Sequence, residues 1–313
     1  VVAVADGAQV KVADERNFQV TDYAWSPCGS WLAFSLSQAS GNNALYLYSV
    51  EDGKTRQVTE GFFNEHNPAW DPEGKYLWYL SERDYPPQIS ASEWNFATNR
   101  MTGIFALALR KDVPSPFAPL SDEVKAEDDK KDDKTTDKKE DKKDEAKPKP
   151  PTKIDLDGLA GRVARAPLDG DNYEGLSVTK GYILYVKSGA PYNGRAPETK
   201  PQLRIYDLEK RKETTLLDDA GNYAISLDGK KLLVGGDGGY ALYDATPSGK
   251  DSKKSVSTAG LMVDRIPKDE WKNIFDEAWR RYRDFFYVEN MHGYDWEALR
   301  QQYGPLVEYV GHR

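Results

Sequence analysis

The chain has 313 residues, of which 39% are hydrophobic, 12% aromatic and 30% charged, and its net charge is −8. The negative charge argues against general binding to nucleic-acid phosphates or anionic lipid, and no apolar run reaches the ~18 residues that a membrane-spanning helix needs. One cysteine and three histidines argue against a disulfide framework and against Cys-rich or His-rich metal sites, so we predict no metal or cofactor.

A repeated apolar pattern is the first organised feature along the chain. Residues 23–34 read Tyr-Ala-Trp-Ser-Pro-Cys-Gly-Ser-Trp-Leu-Ala-Phe, and residues 68–79 repeat this pattern. A third copy occupies residues 223–234, and a weaker fourth occupies residues 176–185. The clearest copies place a Pro-x-Gly turn between two apolar strands, because Pro presets φ at one corner and Gly accepts a positive φ.

Two further strands follow the first copy and the weaker fourth copy. Residues 45–48 and 55–59 flank an Asp-Gly turn, and residues 203–206 and 213–216 repeat that arrangement. Four short strands in each repeat are typical of the blade of a β-propeller. We therefore predict a mainly β fold in which residues 1–260 form a partial β-propeller of about four antiparallel blades.

A run of Lys, Asp and Glu interrupts the repeats. Residues 121–151 contain no aromatic residue, so they cannot bury enough apolar surface to offset the entropy of ordering. Because the apolar pattern resumes at Ile154, we predict a disordered insertion within the propeller and no domain boundary. We also expect an edge strand near residues 1–12. The low blade count leads us to expect a piece of a longer protein, cut at both ends.

The pattern becomes helical near the C-terminal end, and residues 261–313 are predicted to begin an α-helical domain. Pro267 suits the first position of a helix, and apolar residues then recur at every third or fourth position as far as Phe286. Asp295 is a suitable N-cap for a second helix. We expect Gly304 to end that helix, and Pro305 to begin a third.

Three short motifs stand out in this helical region. Residues 265–271 read Arg-Ile-Pro-Lys-Asp-Glu-Trp, residues 275–280 read Phe-Asp-Glu-Ala-Trp-Arg, and residues 290–296 read Asn-Met-His-Gly-Tyr-Asp-Trp. These motifs resemble the start of the helical domain of tricorn-type peptidases. The propeller repeats are similar to those of the TolB and WD40-like group, with Cys28 at a position where that pattern usually has Asp. The order of propeller and helices matches the tricorn family.

The resemblance implies a serine peptidase that trims oligopeptides, with the propeller acting as a gate for substrates or products. The family's nucleophile and general base would follow the last residue of this chain, so no catalytic, cofactor-binding or metal-binding residue is assigned within it. The chain alone is expected to be inactive. The resemblance further implies peptide substrates, a hexameric homo-oligomer and a cytoplasmic location, while the single Cys fits a periplasm equally well.

Three histidines deserve comparison as possible bases. His292 has Asp295 close in sequence, and a carboxylate can orient an imidazole. However, its position in a helix–helix turn favours capping or packing against Trp296. His66, in a propeller loop, and His312, at the penultimate position, are interpreted as structural or surface residues in the same way.

Two other functions remain open at this stage. A prolyl-oligopeptidase-like enzyme would also carry such a propeller, but an α/β-hydrolase sequence would follow it instead of the helical motif. A TolB-like propeller that acts as a non-enzymatic interaction scaffold would not need the helical extension. The sequence therefore favours the tricorn-like peptidase.

Overall fold

The computed structural model describes most of the chain and divides it into two compact units. The described residues are 1–14, 20, 22–89, 96–119, 151–190, 196–236 and 238–311. The first unit contains Val1–Asp14 and Val20–Val256, and the second contains Ser257–Arg313. The insertion predicted at residues 121–151 lies outside the described residues apart from Pro151. No helix in the described ranges is both long and apolar enough to cross a bilayer.

The first unit consists of four antiparallel four-stranded sheets, here called blades 1 to 4. Blade 1 contains β1 (Tyr23–Trp25), β2 (Trp31–Ser37), β3 (Asn43–Ser49) and β4 (Thr55–Gln57). Blade 2 contains β5 (Glu65–Trp70), β6 (Tyr76–Ser81), β9 (Gly103–Ala108) and β10 (Val163–Arg165). Between β6 and β9 the chain forms a separate hairpin of β7 (Pro87–Ile89) and β8 (Phe96–Thr98), which is not part of the blade. Blade 3 contains β11 (Tyr173–Thr179), β12 (Tyr182–Lys187), β13 (Gln202–Asp207) and β14 (Lys212–Leu217). Blade 4 contains β15 (Asn222–Ile225), β16 (Lys231–Gly236), β17 (Gly239–Asp244) and β18 (Lys254–Val256). The predicted mainly β propeller blades are confirmed.

The turn between the first two strands of a blade has the same chemistry in blades 1, 2 and 4. Ser26 Oγ accepts a hydrogen bond from a backbone amide at 3.0 Å, and Asp71 Oδ2 and Ser226 Oγ do the same at 2.9 Å. The turn glycines have φ values of 73°, 67° and 71°, in the left-handed region that L side chains avoid: they are Gly29, Gly74 and Gly229. The sequence motif therefore specifies the turn directly.

The hydrophobic core lies between successive blades, and the alternation of strand residues divides it. Leu77 and Tyr79 of β6 pack toward blade 1, whereas Trp78 and Leu80 of the same strand pack toward blade 3. A third cluster joins blades 3 and 4 through residues that include Leu203. Each blade thus contributes both of its faces to the core wherever it has a neighbouring blade.

Among the described residues, the N-terminal segment covers the face of blade 1 that has no neighbouring blade, with Val12 packed against its core. The edge strand predicted near residues 1–12 is not formed there. Instead, Val2 pairs with Gln9 in an isolated bridge, because the chain reverses at Gly7, whose φ is 74°. The segment therefore bonds to itself and leaves Tyr23 partly exposed.

The second unit contains α1 (Pro267–Phe285) and α2 (Trp296–Tyr303). The N-cap prediction is confirmed, since Asp295 Oδ1 accepts a hydrogen bond from Ala298 N at 2.9 Å. Gly304 is the C-cap that ends α2, as predicted, with right-handed φ and ψ of −54° and −45°. The path continues as a 3₁₀ helix over Gly304–Tyr309, because Pro305 lacks the N–H that an α-helix would need.

Two tryptophans fasten α1 to α2. Trp279 Nε1 donates to Trp296 O at 3.0 Å, and Trp296 Nε1 donates to Trp279 O at 3.0 Å. The guanidinium groups of Arg283 and Arg300 lie 5.0 and 4.8 Å from the centre of the Trp279 ring, within cation–π range. The apolar stripe predicted on α1 therefore contacts α2 through specific polar bonds as well as through apolar area.

Candidate functional site

The first strand of each blade contacts the first strand of the next, in the order β1, β5, β11 and β15. We call these four the inner strands. They include exposed positions in every blade except blade 2, whose inner strand is only partly exposed. The surface that the inner strands form is the candidate functional surface of the first unit.

Asn67 links the inner strands of blades 2 and 3. Its Oδ1 accepts a hydrogen bond from Leu176 N at 2.8 Å, and its Nδ2 donates to Leu176 O at 3.3 Å. Asn67 lies in a bulge of β5 and has a φ of 53°, a conformation that Asn tolerates better than most residues. Its own backbone N–H donates to Asp22 Oδ2, and Ser35 Oγ donates to the same oxygen at 2.9 Å. Blades 1, 2 and 3 are therefore joined at one point.

Blades 3 and 4 are joined at the equivalent place. Gly175 lies in a bulge of β11 with a φ of 61°, and the Tyr223 hydroxyl is 2.5 Å from its carbonyl oxygen. The same hydroxyl lies 3.1 Å from Leu184 O. Burial raises the pKa of Tyr223, so the hydroxyl remains a donor at neutral pH. Sequence reasoning missed Asn67 and Gly175, although Asn and Gly within strands are a signal for a bulge.

A buried ion pair stands at the beginning of β5. Glu65 is 2% exposed, and its Oε1 accepts a hydrogen bond from Arg83 Nη2 at 2.7 Å. Arg83 also donates to the Tyr79 hydroxyl at 3.0 Å, and its guanidinium lies 4.3 Å from the centre of the Phe105 ring. Glu65 is thus held in an ion pair with Arg83, which gives it a structural role.

His66 lies within strand β5 of blade 2, opposite Leu80, and not in a loop as the sequence suggested. Its Nε2 is 3.8 Å from Glu82 Oε1, and Asn64 Nδ2 donates to that same oxygen at 3.0 Å. The described contacts of His66 and Glu82 include no Ser or Cys side chain that could act as a nucleophile. His312 lies outside the described residues.

His292 is held by a tyrosine that sequence reasoning missed. Its Nε2 lies 2.6 Å from the Tyr287 hydroxyl, and its ring stands edge-on to Phe286 at 5.7 Å. Met291 and His292 have φ values of 50° and 54°, so two consecutive non-glycine residues are left-handed. The turn is strained, and its rings hold it in place.

The two contacts suggested for His292 by the sequence differ from those in the structure. Asp295 caps α2 through its Oδ1, whereas the described hydrogen bond of His292 is with Tyr287. Trp296 packs against Tyr282, with ring centres 5.8 Å apart, rather than against His292. His292 therefore acts as a packing residue, as interpreted from the sequence, but its partners differ from the expected ones.

Cys28 lies in the first turn of blade 1, as its place in the repeat predicts. Its Sγ is 2.8 Å from Ser30 Oγ and 3.2 Å from Thr152 Oγ1. Burial raises the pKa of the Cys28 thiol, but hydrogen bonds from Ser26, Ser30 and Thr152 outweigh it and lower the pKa to about 6. The described residues contain no cluster of three or more His, Cys, Asp or Glu side chains that could hold a metal ion.

Comparison with known sequence families gives two adjoining matches. The family described as the tricorn protease second beta propeller domain matches residues 1–246. The family described as the tricorn protease C1 domain matches residues 267–313. Together they account for both the blades and the helices.

Individual relatives agree with the family matches. Tricorn protease homolog 1 of Streptomyces coelicolor is 28% identical over 298 residues, which cover 91% of this chain and 27% of that protein. The tricorn protease of Thermoplasma acidophilum is 23% identical over 318 residues, covering 98% of this chain and 27% of that protein. The crystal structure of the tricorn protease superposes with a TM-score of 0.76 at 21% identity, covering all of this chain and 29% of that one. The chain thus spans less than a third of the length of each of these relatives.

Proposed function

The chain belongs to the tricorn protease family, and we propose that it is part of a serine peptidase that trims oligopeptides. We further propose that residues 1–260 control which peptides reach or leave the catalytic part. In this proposal the inner strands form one wall of an opening through which extended peptides move. The helices that follow connect this wall to the catalytic part of a longer protein.

The joined inner strands are the observation that supports a gate. Asn67 and Tyr223 each cross from one blade to the next with hydrogen bonds of 2.5–3.3 Å. Such cross-links resist separation of the blades, because breaking them would leave partly buried polar groups without these partners. An opening with a stiff wall selects chains by their width, so unfolded peptides enter and folded proteins do not.

We propose that the nucleophile and general base are supplied by sequence outside these residues. The contacts of the two described histidines support this assignment, since His66 neighbours the carboxylate of Glu82 and His292 neighbours the hydroxyl of Tyr287. Neither the carboxylate beside His66 nor the phenol beside His292 is a serine hydroxyl that a histidine could activate. The chain would then be inactive by itself.

Activity measurements on this chain and on the longer protein test whether the nucleophile and general base lie outside these residues. The 313-residue chain should neither hydrolyse a fluorogenic peptide nor react with a serine-directed fluorophosphonate, whereas the longer protein should do both. The matched control is the chain with His292→Ala, which should behave as the unmodified chain does. Turnover or probe labelling of the chain alone, lost on substitution of His292 or His66, would contradict the proposal.

Linear and cyclised versions of one peptide test the gate. In the longer protein, a linear peptide should be cleaved at least about tenfold more efficiently than the same sequence closed into a ring, because only the linear form is narrow. A short chromogenic reporter provides the control for intact chemistry. Equal cleavage of both forms would contradict selection by width.

Family membership also leads us to propose a homo-oligomeric assembly, expected to be a hexamer, in the cytoplasm. Light scattering of the longer protein after size-exclusion chromatography tests the first point, and cell fractionation tests the second. A monomeric longer protein would contradict the proposed assembly.

A further inference from the structure

Residues 113–118 cross from blade 2 to blade 3, and we call this segment the strap. The Tyr76 hydroxyl of blade 2 donates a hydrogen bond to Pro114 O at 2.7 Å. Arg211 of blade 3 donates to Ala118 O. The strap is thus attached at each end to a different blade.

Phe117 of the strap fills a slot between the two blades. Its ring stands edge-on to Trp78 of blade 2, with centres 5.8 Å apart, and edge-on to Tyr206 of blade 3, with centres 6.3 Å apart. These edge-to-face contacts are favourable for aromatic rings. The slot therefore accepts an aromatic side chain.

Two hydrogen-bonding groups of this slot have no partner in the described part of the chain. Trp78 and Tyr206 are each 1% exposed, yet neither Trp78 Nε1 nor the Tyr206 hydroxyl is hydrogen-bonded there. Burial raises the pKa of Tyr206, which keeps its hydroxyl protonated and able to donate. Buried polar groups in native proteins normally have partners, so these two donors indicate that the slot lacks a hydrogen-bond acceptor.

From this juxtaposition we propose that the slot between blades 2 and 3 is a binding site for an aromatic residue with a free carboxylate, such as the C-terminal residue of a peptide, and that Phe117 covers it. The aromatic ring would replace the Phe117 ring between Trp78 and Tyr206. The carboxylate oxygens would accept hydrogen bonds from the Trp78 indole and the Tyr206 hydroxyl. This site goes beyond the proposed gate, because binding there requires no peptidase chemistry.

The strap has the properties of a displaceable cover. Phe117 is only partly buried, and Pro114, Ser115 and Ala118 of the strap are exposed. The apolar burial of the strap is concentrated at Phe117 and Val113, so a ring that takes the place of Phe117 would offset much of the cost of displacing it. A competing ring with a carboxylate would regain the contacts of Phe117 and add the two missing hydrogen bonds.

Titration of the 313-residue chain with N-acetylphenylalanine tests the site, with the Trp78 indole N–H resonance as the readout. Substitution Trp78→Phe assigns that resonance. Phe117→Ala should strengthen binding by at least about tenfold, since the internal competitor is removed, and N-acetylphenylalanine should shift the Trp78 resonance. Adding Tyr206→Phe to Phe117→Ala should weaken binding by about tenfold, because a hydrogen bond to a charged group is lost.

Matched variants and ligands separate this result from general apolar binding. Phe62→Ala removes a phenylalanine that is 75% exposed on another connection, and it should leave the affinity unchanged. Tyr76→Phe removes one attachment of the strap without touching Phe117, so it should also strengthen binding if Phe117→Ala fails to fold. Equal binding of N-acetylalanine, no shift of the Trp78 resonance, or identical affinity with and without Phe117 would overturn the proposal. Each outcome is independent of peptide-length selection, which tests the gate.

Discussion

The side-chain amide of Asn67 pairs with both backbone polar groups of Leu176, with bonds of 2.8 and 3.3 Å between residues 109 positions apart in sequence. The amide thereby acts like one residue of a neighbouring strand. It holds β5 of blade 2 next to β11 of blade 3, which belong to different sheets among the described strands. The Asn67 side chain and its left-handed backbone thus contribute to the spacing of these two inner strands.

Two substitutions of Asn67 should separate the contribution of its side-chain hydrogen bonds from that of its left-handed backbone. Asn67→Gly keeps access to the φ of 53° but removes both bonds to Leu176, so we expect a loss of about 2 kcal/mol in the free energy of unfolding. Asn67→Ala should lose about 1 kcal/mol more, because Ala disfavours positive φ. Urea unfolding followed by circular dichroism measures both values. Asn222→Ala, at an exposed position of β15, is the control, and a Gly variant as stable as that control would contradict the role of the amide.

The ion pair between Glu65 and Arg83 should show strong coupling. Arg83→Met leaves the buried carboxylate of Glu65 unpaired and should cost about 3–5 kcal/mol. The double variant with Glu65→Gln should recover at least half of that loss, because no charge then remains buried. Lys11→Met breaks an exposed pair with Asp14 and should change stability by less than about 0.5 kcal/mol. Additive losses in the double variant would argue against a coupled pair.

Cys28 should react as a thiolate at neutral pH. The rate of alkylation by iodoacetamide should be half-maximal near pH 6, in line with the lowered pKa of about 6, whereas an unperturbed thiol has a pKa of about 8.5. Thr152→Val removes one hydrogen bond to the sulfur and should move this midpoint upward. A half-maximal rate near pH 8.5 in the unmodified chain would contradict the hydrogen-bonded turn.

The same lowered pKa predicts how stability varies with pH. A group whose pKa is depressed on folding stabilises the folded chain fully above its unfolded pKa, and this contribution is lost as the pH falls toward the folded pKa. The stability of the unmodified chain relative to Cys28→Ser should therefore rise between about pH 6 and pH 8.5. Urea unfolding at several pH values tests this, and a constant difference would contradict it.

The paired tryptophans predict a local effect in the second unit. Trp279→Phe removes the indole donor to Trp296 O and weakens the contacts with Arg283 and Arg300, so the turn between α1 and α2 should open more often. Limited proteolysis between the helices should accelerate by about tenfold, which corresponds to the loss of roughly one hydrogen bond. Trp271→Phe, on the same helix, is the control and should be cleaved at the unmodified rate. Equal rates for both variants would count against the reciprocal bonds.

The sequence was informative where structure follows from neighbouring residues. The Ser/Asp-Pro-x-Gly turns, the alternation of β6 and the Asp295 cap are all local patterns, and each forms as expected. The bulges at Asn67 and Gly175 were missed because partners on other blades determine them. The tyrosine that holds His292 was missed because a strained turn has no periodic pattern.

The strap illustrates the same limit. Residues 113–118 precede the charged run and contain two prolines, a composition that suggests a connection without regular structure. The place of Phe117 between Trp78 and Tyr206 depends on the approach of two blades and not on any spacing in the strap. Only the packed fold brings these three rings together.

The most direct test of the gate compares the longer protein with and without residues 1–260, using a dipeptide reporter and a long unfolded peptide. The proposal predicts that removal of these residues leaves kcat/KM for the reporter within about twofold and changes the ratio of long to short substrates by at least about tenfold. Asn67→Gly in the longer protein should shift this ratio in the same direction if the truncated protein does not fold. An equal loss of activity on both substrates would contradict a gate and would indicate that the propeller only supports the fold.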